Sequence, residues 1–179
     1  GNTRVPESVK TEAGNKQFWH SNWFSALILI LLCGAAYWNS IHGQFQYDDY
    51  TSVRFNLTFR ETDLKSILLS DPTRPLSAVS LATNYKISAN NPNSYHVFNI
   101  IFHFLAVFIF FLLIKRKITD PWIPLIAASF MAVHPLNTES VSYITSRPII
   151  LCAMFYLLSL LFLDSYLQKR SWQSAVGFF

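Results

Sequence analysis

Two adjacent carboxylates, Asp48 and Asp49, lie in the stretch Phe45-Gln46-Tyr47-Asp48-Asp49-Tyr50, a few residues past the end of the first long apolar run. If that run crosses a bilayer, the aromatic residues on either side hold the acids close to the membrane surface. Acids in that position call for a partner: a metal ion, an arginine or a substrate that gives up a proton. The competing expectation is a pair of solvated acids in a loop. A divalent cation at Asp48 and Asp49 is open on the same grounds, but one short acid pair is sparse ligation for it.

A second polar stretch runs from His134-Pro135-Leu136-Asn137-Thr138-Glu139-Ser140 to Arg147-Pro148. A histidine, a glutamate and an arginine in one short loop can orient a phosphate or a metal. His134 closing a helix and Arg147 reaching for lipid headgroups are the structural alternatives. Thr138 to Ser146 could form a short amphipathic helix, with Glu139 and Tyr143 one turn apart. His96 and His103, seven residues apart on a helix, share a face with Asn99 near the same stripe. Imidazoles inside a membrane can ligate haem or a chlorophyll-type pigment. Polar contacts between packed helices are the preferred reading of the three.

The elements that must position these residues are legible from composition. The chain has 179 residues, of which 13% are charged, 51% hydrophobic and 16% aromatic. The charged share is about half that of a soluble domain, and mean hydropathy is +0.27. An all-α polytopic membrane protein with one polar insert is therefore expected. The net charge of +4 does not point to nucleic acid, because the basic residues gather at the ends of apolar runs. Cys33 and Cys152 both lie inside such runs, where cysteine behaves as a small hydrophobe.

Residues 1–20 read as a polar tail with mixed charge, ending in an aromatic belt around Trp19, His20 and Trp23. The first span is placed at 21–41, long enough for one helix across roughly 30 Å of hydrocarbon. Residues 42–94 leave the bilayer as a first loop with two short interfacial helices, 61–70 and 76–85, broken by Asp71-Pro72 and Arg74-Pro75. A second span covers 95–114 and stops at Lys115-Arg116-Lys117; a third, 121–134, is short for a crossing. The second loop is 135–147, a fourth span 148–167, and 171–179 reads as the start of a fifth that would continue beyond Phe179.

Basic residues near the spans favour a cytoplasmic N-terminus, with Arg4, Lys10, Lys16, Lys115, Arg116, Lys117, Lys169 and Arg170 on the inner side. Both polar loops then share the external or lumenal face, and their convergence makes a site plausible.

Four motifs in order carry a family resemblance: Tyr47-Asp48-Asp49; Arg74-Pro75-Leu76-Ser77 with Asn84-Tyr85; Tyr95-His96 followed by Asn99 and His103; and Ala132-Val133-His134-Pro135-Leu136-Asn137-Thr138-Glu139 with Arg147. Together they resemble the N-terminal membrane region of the transmembrane O-mannosyltransferases that carry tetratricopeptide repeats, and their bacterial relatives. That family is similar to the GT-C glycosyltransferases, which move a sugar from a polyprenyl or dolichyl phosphate onto an acceptor at the external or lumenal face. The resemblance implies that Asp48 or Asp49 is the catalytic base or a metal-associated carboxylate. Neighbouring side chains on an extended segment point to opposite sides, so one acid would face the substrate, with a slight preference for Asp49.

Transfer to a hydroxyl also needs positive charge beside the departing lipid phosphate, for which Arg74 and Arg147 are the candidates. Expected partners are membrane lipids, a lipid-linked sugar donor and a protein acceptor, in a bacterial inner membrane or the ER membrane. The alternative is a shortened, non-catalytic accessory subunit of a larger membrane complex, in contact with partner subunits, pigment or haem.

Overall fold

The computed structural model describes residues 22–60 and 63–176. The tail expected at 1–20, its part of the aromatic belt and residues 177–179 lie outside them. Helix α1 spans Asn22–Tyr37 and tightens into a 3-10 turn at Trp38–His42. The first loop carries α2, Leu64–Ser70, and α3, Pro75–Ser88. Helix α4, Pro92–Lys115, is followed by α5, Trp122–Val133, the short α6, Asn137–Ser142, and the long α7, Arg147–Val176. The architecture is all-α, with no strand among the described residues.

Local chemistry sets the boundaries. Asn91 caps α4 by accepting from the Asn93 amide at 3.2 Å, with Pro92 at the first helical position. Asp63 caps α2 through the amides of Lys65 and Ser66, and Asp120 accepts from the amides of Trp122 and Ile123 at the start of α5. Helix α5 stops at Val133 because His134 precedes Pro135 and is extended, at φ −65° and ψ 128°.

Three stretches, Asn22–His42, Pro92–Lys115 and Ile144–Gln168, are long and apolar enough to cross a membrane. Helix α5 has 12 residues, about 18 Å at 1.5 Å per residue, which is short of the hydrocarbon thickness. Helix α7 runs unbroken from Arg147 to Val176, so residues 171–176, read in sequence as opening a fifth span, continue the helix of the fourth.

Helix α4 is the axis of the bundle, packing on α1, α5 and α7. Leu29 and Cys33 of α1, Val107 and Phe111 of α4, and Leu125, Ala128 and Ala132 of α5 form one buried cluster; Ala106, Leu151 and Met154 join α4 to α7. Leu31, Phe130, Phe162 and Leu167 stay exposed on the outside, as an acyl-chain surrounding allows.

The first loop is more than an interfacial decoration. Phe45, Val53, Phe59, Ile67, Ala78, Leu81 and Ala82 bury against Tyr95 of α4 and Ile144 of the second loop, a separate core at one end of the bundle. At the other end the basic stop signal is locked to α7: Arg116 and Lys117 both pair with Asp164, and Gln168 donates to the same carboxylate at 3.0 Å. Lys115 reaches Asn22 of α1 at 2.7 Å.

Candidate functional site

The acid pair sits in a tight turn, not on an extended strand. Tyr47 takes a left-handed φ of 43°, a conformation that favours glycine and costs a bulky side chain free energy. Asp49 follows in helical geometry, φ −61° and ψ −30°. Its amide donates to the Gln46 carbonyl at 2.8 Å while its carboxylate accepts the Gln46 amide at 3.1 Å. The chain then continues into a wide turn at Tyr50–Arg54.

That turn separates the two acids by environment. Asp49 is 1% exposed, and its second oxygen accepts the amide of Thr145 in the second loop at 3.0 Å. One amide donor therefore reaches each oxygen of the buried carboxylate. Asp48 is exposed, and its backbone amide donates to the Tyr143 hydroxyl at 3.2 Å. Both loops therefore converge, as expected, and Asp49 is the joint between them. One acid is buried and bonded to amides while its neighbour faces out, so the pair does not form a shared cradle for a cation. Among the described residues no group of three or more His, Cys, Asp or Glu could hold a metal.

Arg147, expected at a donor phosphate, opens α7 with 0% exposure. Its guanidinium donates to Asn99 of α4 at 2.8 Å, to Asn84 of α3 at 3.0 Å, to the Tyr95 carbonyl at 3.1 Å and to Ser80 at 3.5 Å. The rings of Tyr95, Phe98 and Phe102 surround it at about 6 Å. The ion pairs among the described residues are both at Asp164, so this buried cation is held by neutral acceptors and ring faces.

Asn99 extends the network. Its oxygen accepts from Arg147 while its amide donates to the carbonyls of Val141 and Tyr143 at 3.3 and 3.2 Å. Asn84 continues it outward through Ser94 at 2.6 Å and Ser88 at 3.3 Å.

The two histidines of α4 differ. His103 bonds through Nε2 to the Ala132 carbonyl at 3.1 Å, one of the carbonyls at the end of α5 that lack a helical partner; Asn137 takes the neighbouring Met131 carbonyl at 2.8 Å. Tyr37 stands edge-on to the His103 ring at 5.3 Å. Both histidines are buried within the bundle, and with its Nε2 committed His103 is poorly placed as a haem or pigment ligand. His96 makes no hydrogen bond at either ring nitrogen.

The remaining expected residues are peripheral. Arg74 is exposed at the start of α3 and acts electrostatically on Asp71. His134 is exposed, its Nδ1 accepting the Leu136 amide at 3.2 Å, and Glu139 lies exposed in the first turn of α6. Sequence reasoning did not single out Ser80, Thr145, Gly43 or Asp164. A serine, threonine or glycine carries no periodic signal, and Asp164 acquires its meaning from the packing of α7 against the end of α4.

No family model matches the chain, and no solved structure matches it. It is 30% identical over 163 residues to the mouse (Mus musculus) protein O-mannosyl-transferase TMTC3, covering 83% of the chain and 17% of that relative. The human (Homo sapiens) protein O-mannosyl-transferase TMTC4 is 33% identical over 68% of the chain and 20% of its own length. Drosophila melanogaster protein O-mannosyl-transferase Tmtc1 is 27% identical over 85% of the chain and 19% of its own. The chain thus spans about a fifth or less of the length of the curated relatives it matches. With three apolar helices of membrane-crossing length and this similarity across most of its residues, the chain is an integral membrane protein that belongs to the transmembrane O-mannosyltransferase family of these relatives.

Proposed function

We propose that the chain forms the N-terminal part of a membrane glycosyltransferase that moves mannose from a polyprenyl or dolichyl phosphate to a hydroxyl of a protein acceptor. Its N-terminus is cytoplasmic, and the two loops work at the lumenal or external face of an ER or bacterial inner membrane. The observation that carries this reading is the division of labour between the acids: a buried Asp49 fastened to the second loop, beside an exposed Asp48.

A general base must come within hydrogen-bond reach of the proton it removes. Asp48 is the accessible acid and takes that role. As the acceptor oxygen bonds to the anomeric carbon, its proton passes to Asp48 and the bond from that carbon to the lipid phosphate breaks, the electron pair leaving with the phosphate. Asp49 holds the turn that aims Asp48. Arg74, exposed on the same loop, supplies positive charge toward the departing phosphate. Arg147, enclosed by protein acceptors, keeps α3, α4 and α7 in register beneath the loops.

The test uses the full-length protein in membranes with a polyprenyl-phosphate mannose donor and an acceptor protein. Asp48→Asn is expected to lower transfer by about a hundredfold or more with the protein still folded. Full activity in a folded Asp48→Asn protein would sink the assignment.

A further inference from the structure

Tyr143 joins the second loop to the exposed acid. Helix α6 ends at Ser142, and Tyr143 follows in extended geometry, at φ −99° and ψ 122°. Its amide donates to the Glu139 carbonyl at 3.2 Å, and its own carbonyl accepts from the Ser146 amide and from Asn99 of α4, both at 3.2 Å. Those bonds fix the backbone from which the phenol projects. The phenol oxygen accepts the Asp48 amide at 3.2 Å, while two residues further on the Thr145 amide donates to Asp49.

The same contact bounds the distance from the phenol to the acid. The carboxylate oxygens of an aspartate lie no more than about 5 Å from its own amide nitrogen, which puts the Tyr143 oxygen within about 8 Å of the Asp48 carboxylate. A phenol has one proton, and an oxygen that accepts the Asp48 amide turns that proton away from the amide. Tyr143 is partly exposed and Asp48 exposed, and Tyr47 before it is 85% exposed. A small ligand that reaches the acid therefore also reaches the phenol.

Complementarity selects the guest. An anionic phosphate on the phenol would be repelled by the Asp48 carboxylate. A hydroxyl donates and accepts at once, which suits a phenol donor beside a carboxylate acceptor. The attacking hydroxyl of the acceptor protein needs its oxygen lone pair for the new bond, and a donor on that oxygen opposes the attack. The hydroxyls of the transferred sugar carry no such conflict.

We propose that Tyr143 is a sugar-binding residue, its O–H donating to a hydroxyl oxygen of the transferred mannose beside Asp48. The assignment rests on the glycosyltransferase reading and adds to it a residue of the second loop that selects the donor by its sugar.

The test measures Kd in the full-length protein in detergent for polyprenyl-phosphate mannose and for its monodeoxy analogues, each lacking one sugar hydroxyl. Wild type is compared with Tyr143→Phe, which keeps the ring and removes the O–H. One analogue is expected to bind wild type about tenfold more weakly than the parent donor, and Tyr143→Phe to bind the parent about tenfold more weakly than wild type does. For that analogue the two proteins should bind alike, because its loss and that of the phenol are the same hydrogen bond. Undiminished binding of the parent donor by Tyr143→Phe overturns the proposal, as do losses that add for every analogue. Equal binding of all analogues by wild type overturns it without recourse to the variant. Mannose transfer is read separately: the expected binding pattern without transfer means that the activity reading fails and the sugar contact stands, whereas transfer without the pattern strikes the role of Tyr143 alone. A wild type that binds no donor overturns both.

Discussion

The amide of Thr145 donates to the carboxylate of Asp49 at 3.0 Å across 96 positions of sequence. This bond couples the two polar loops and, because Thr145 stands two residues before Arg147, connects the acid pair to the buried network at the start of α7. Asp49 and its exposed neighbour should therefore respond differently to the same substitution.

Asp49→Asn weakens one charged acceptor and presents an amide to the donors at Gln46 and Thr145. The expected loss is about 1–3 kcal/mol of stability. Asp48→Asn should lie within about 0.5 kcal/mol of wild type, as is usual for an exposed side chain. Thermal unfolding of the two variants in detergent, compared directly, measures the difference; equal losses would contradict the assigned geometry.

Arg147→Ala leaves the oxygens of Asn99, Asn84 and Ser80 and the Tyr95 carbonyl without the donor that joins them. A loss of at least about 3 kcal/mol is expected. Arg147→Lys should recover only part of it, since one ammonium cannot match the span of a guanidinium fork. Expression yield and unfolding midpoint report both.

Gly43→Ala places a Cβ 2.9 Å from the Ser40 carbonyl oxygen and 3.0 Å from His96 Nε2. The backbone oxygen cannot yield as a flexible side chain would, so the substitution should cost about 1–3 kcal/mol. Double-mutant analysis with His96→Ala separates the two clashes: the coupling energy measures the share due to the ring.

Asp63 and Asp71 are held below the ordinary carboxylate range, Asp63 first by the Ser66 hydroxyl and Asp71 first by the Thr73 hydroxyl, with amide bonds adding to both. A depressed folded-state pKa stabilises the fold above the ordinary carboxylate value and loses that contribution as pH falls through the depressed one. Exchange protection factors, with the intrinsic pH dependence divided out, should accordingly fall on acidification at the Lys65 and Ser66 amides that open α2 and at the Thr73 and Arg74 amides just before α3, and Asp63→Asn should remove that pH dependence at α2.

Asn56-Leu57-Thr58 tests the orientation. The Asn56 side chain accepts the Thr58 amide at 3.0 Å and is partly exposed. With the N-terminus cytoplasmic, expression in cells that glycosylate in the ER should yield an endoglycosidase-sensitive form that Asn56→Gln abolishes.

Hydropathy and punctuation suffice for the membrane helices. A long apolar run, a proline after a capping asparagine and the basic triplet at Lys115 each act within a few residues, so α1 and α4 with their approximate ends, and the start of α7, follow from local physics. The acid pair and the motif residues Asn84, Asn99 and Arg147 are visible in the same way, as polar groups where polarity is expensive. Their partners are not. Which acid is enclosed depends on a Thr145 amide far away in sequence, and the Asp48-Asp49 segment is a turn because Gln46 and Asp49 bond reciprocally. Arg147 carries the type of a phosphate ligand, yet acceptors from two neighbouring helices and three aromatic rings close around it. Asp164 reads as one more acid in an apolar run until α7 lies beside Arg116 and Lys117. Local chemistry writes the elements and nominates the polar residues; burial and pairing are properties of segments brought together by folding, and they separate Asp48 from Asp49 at the site.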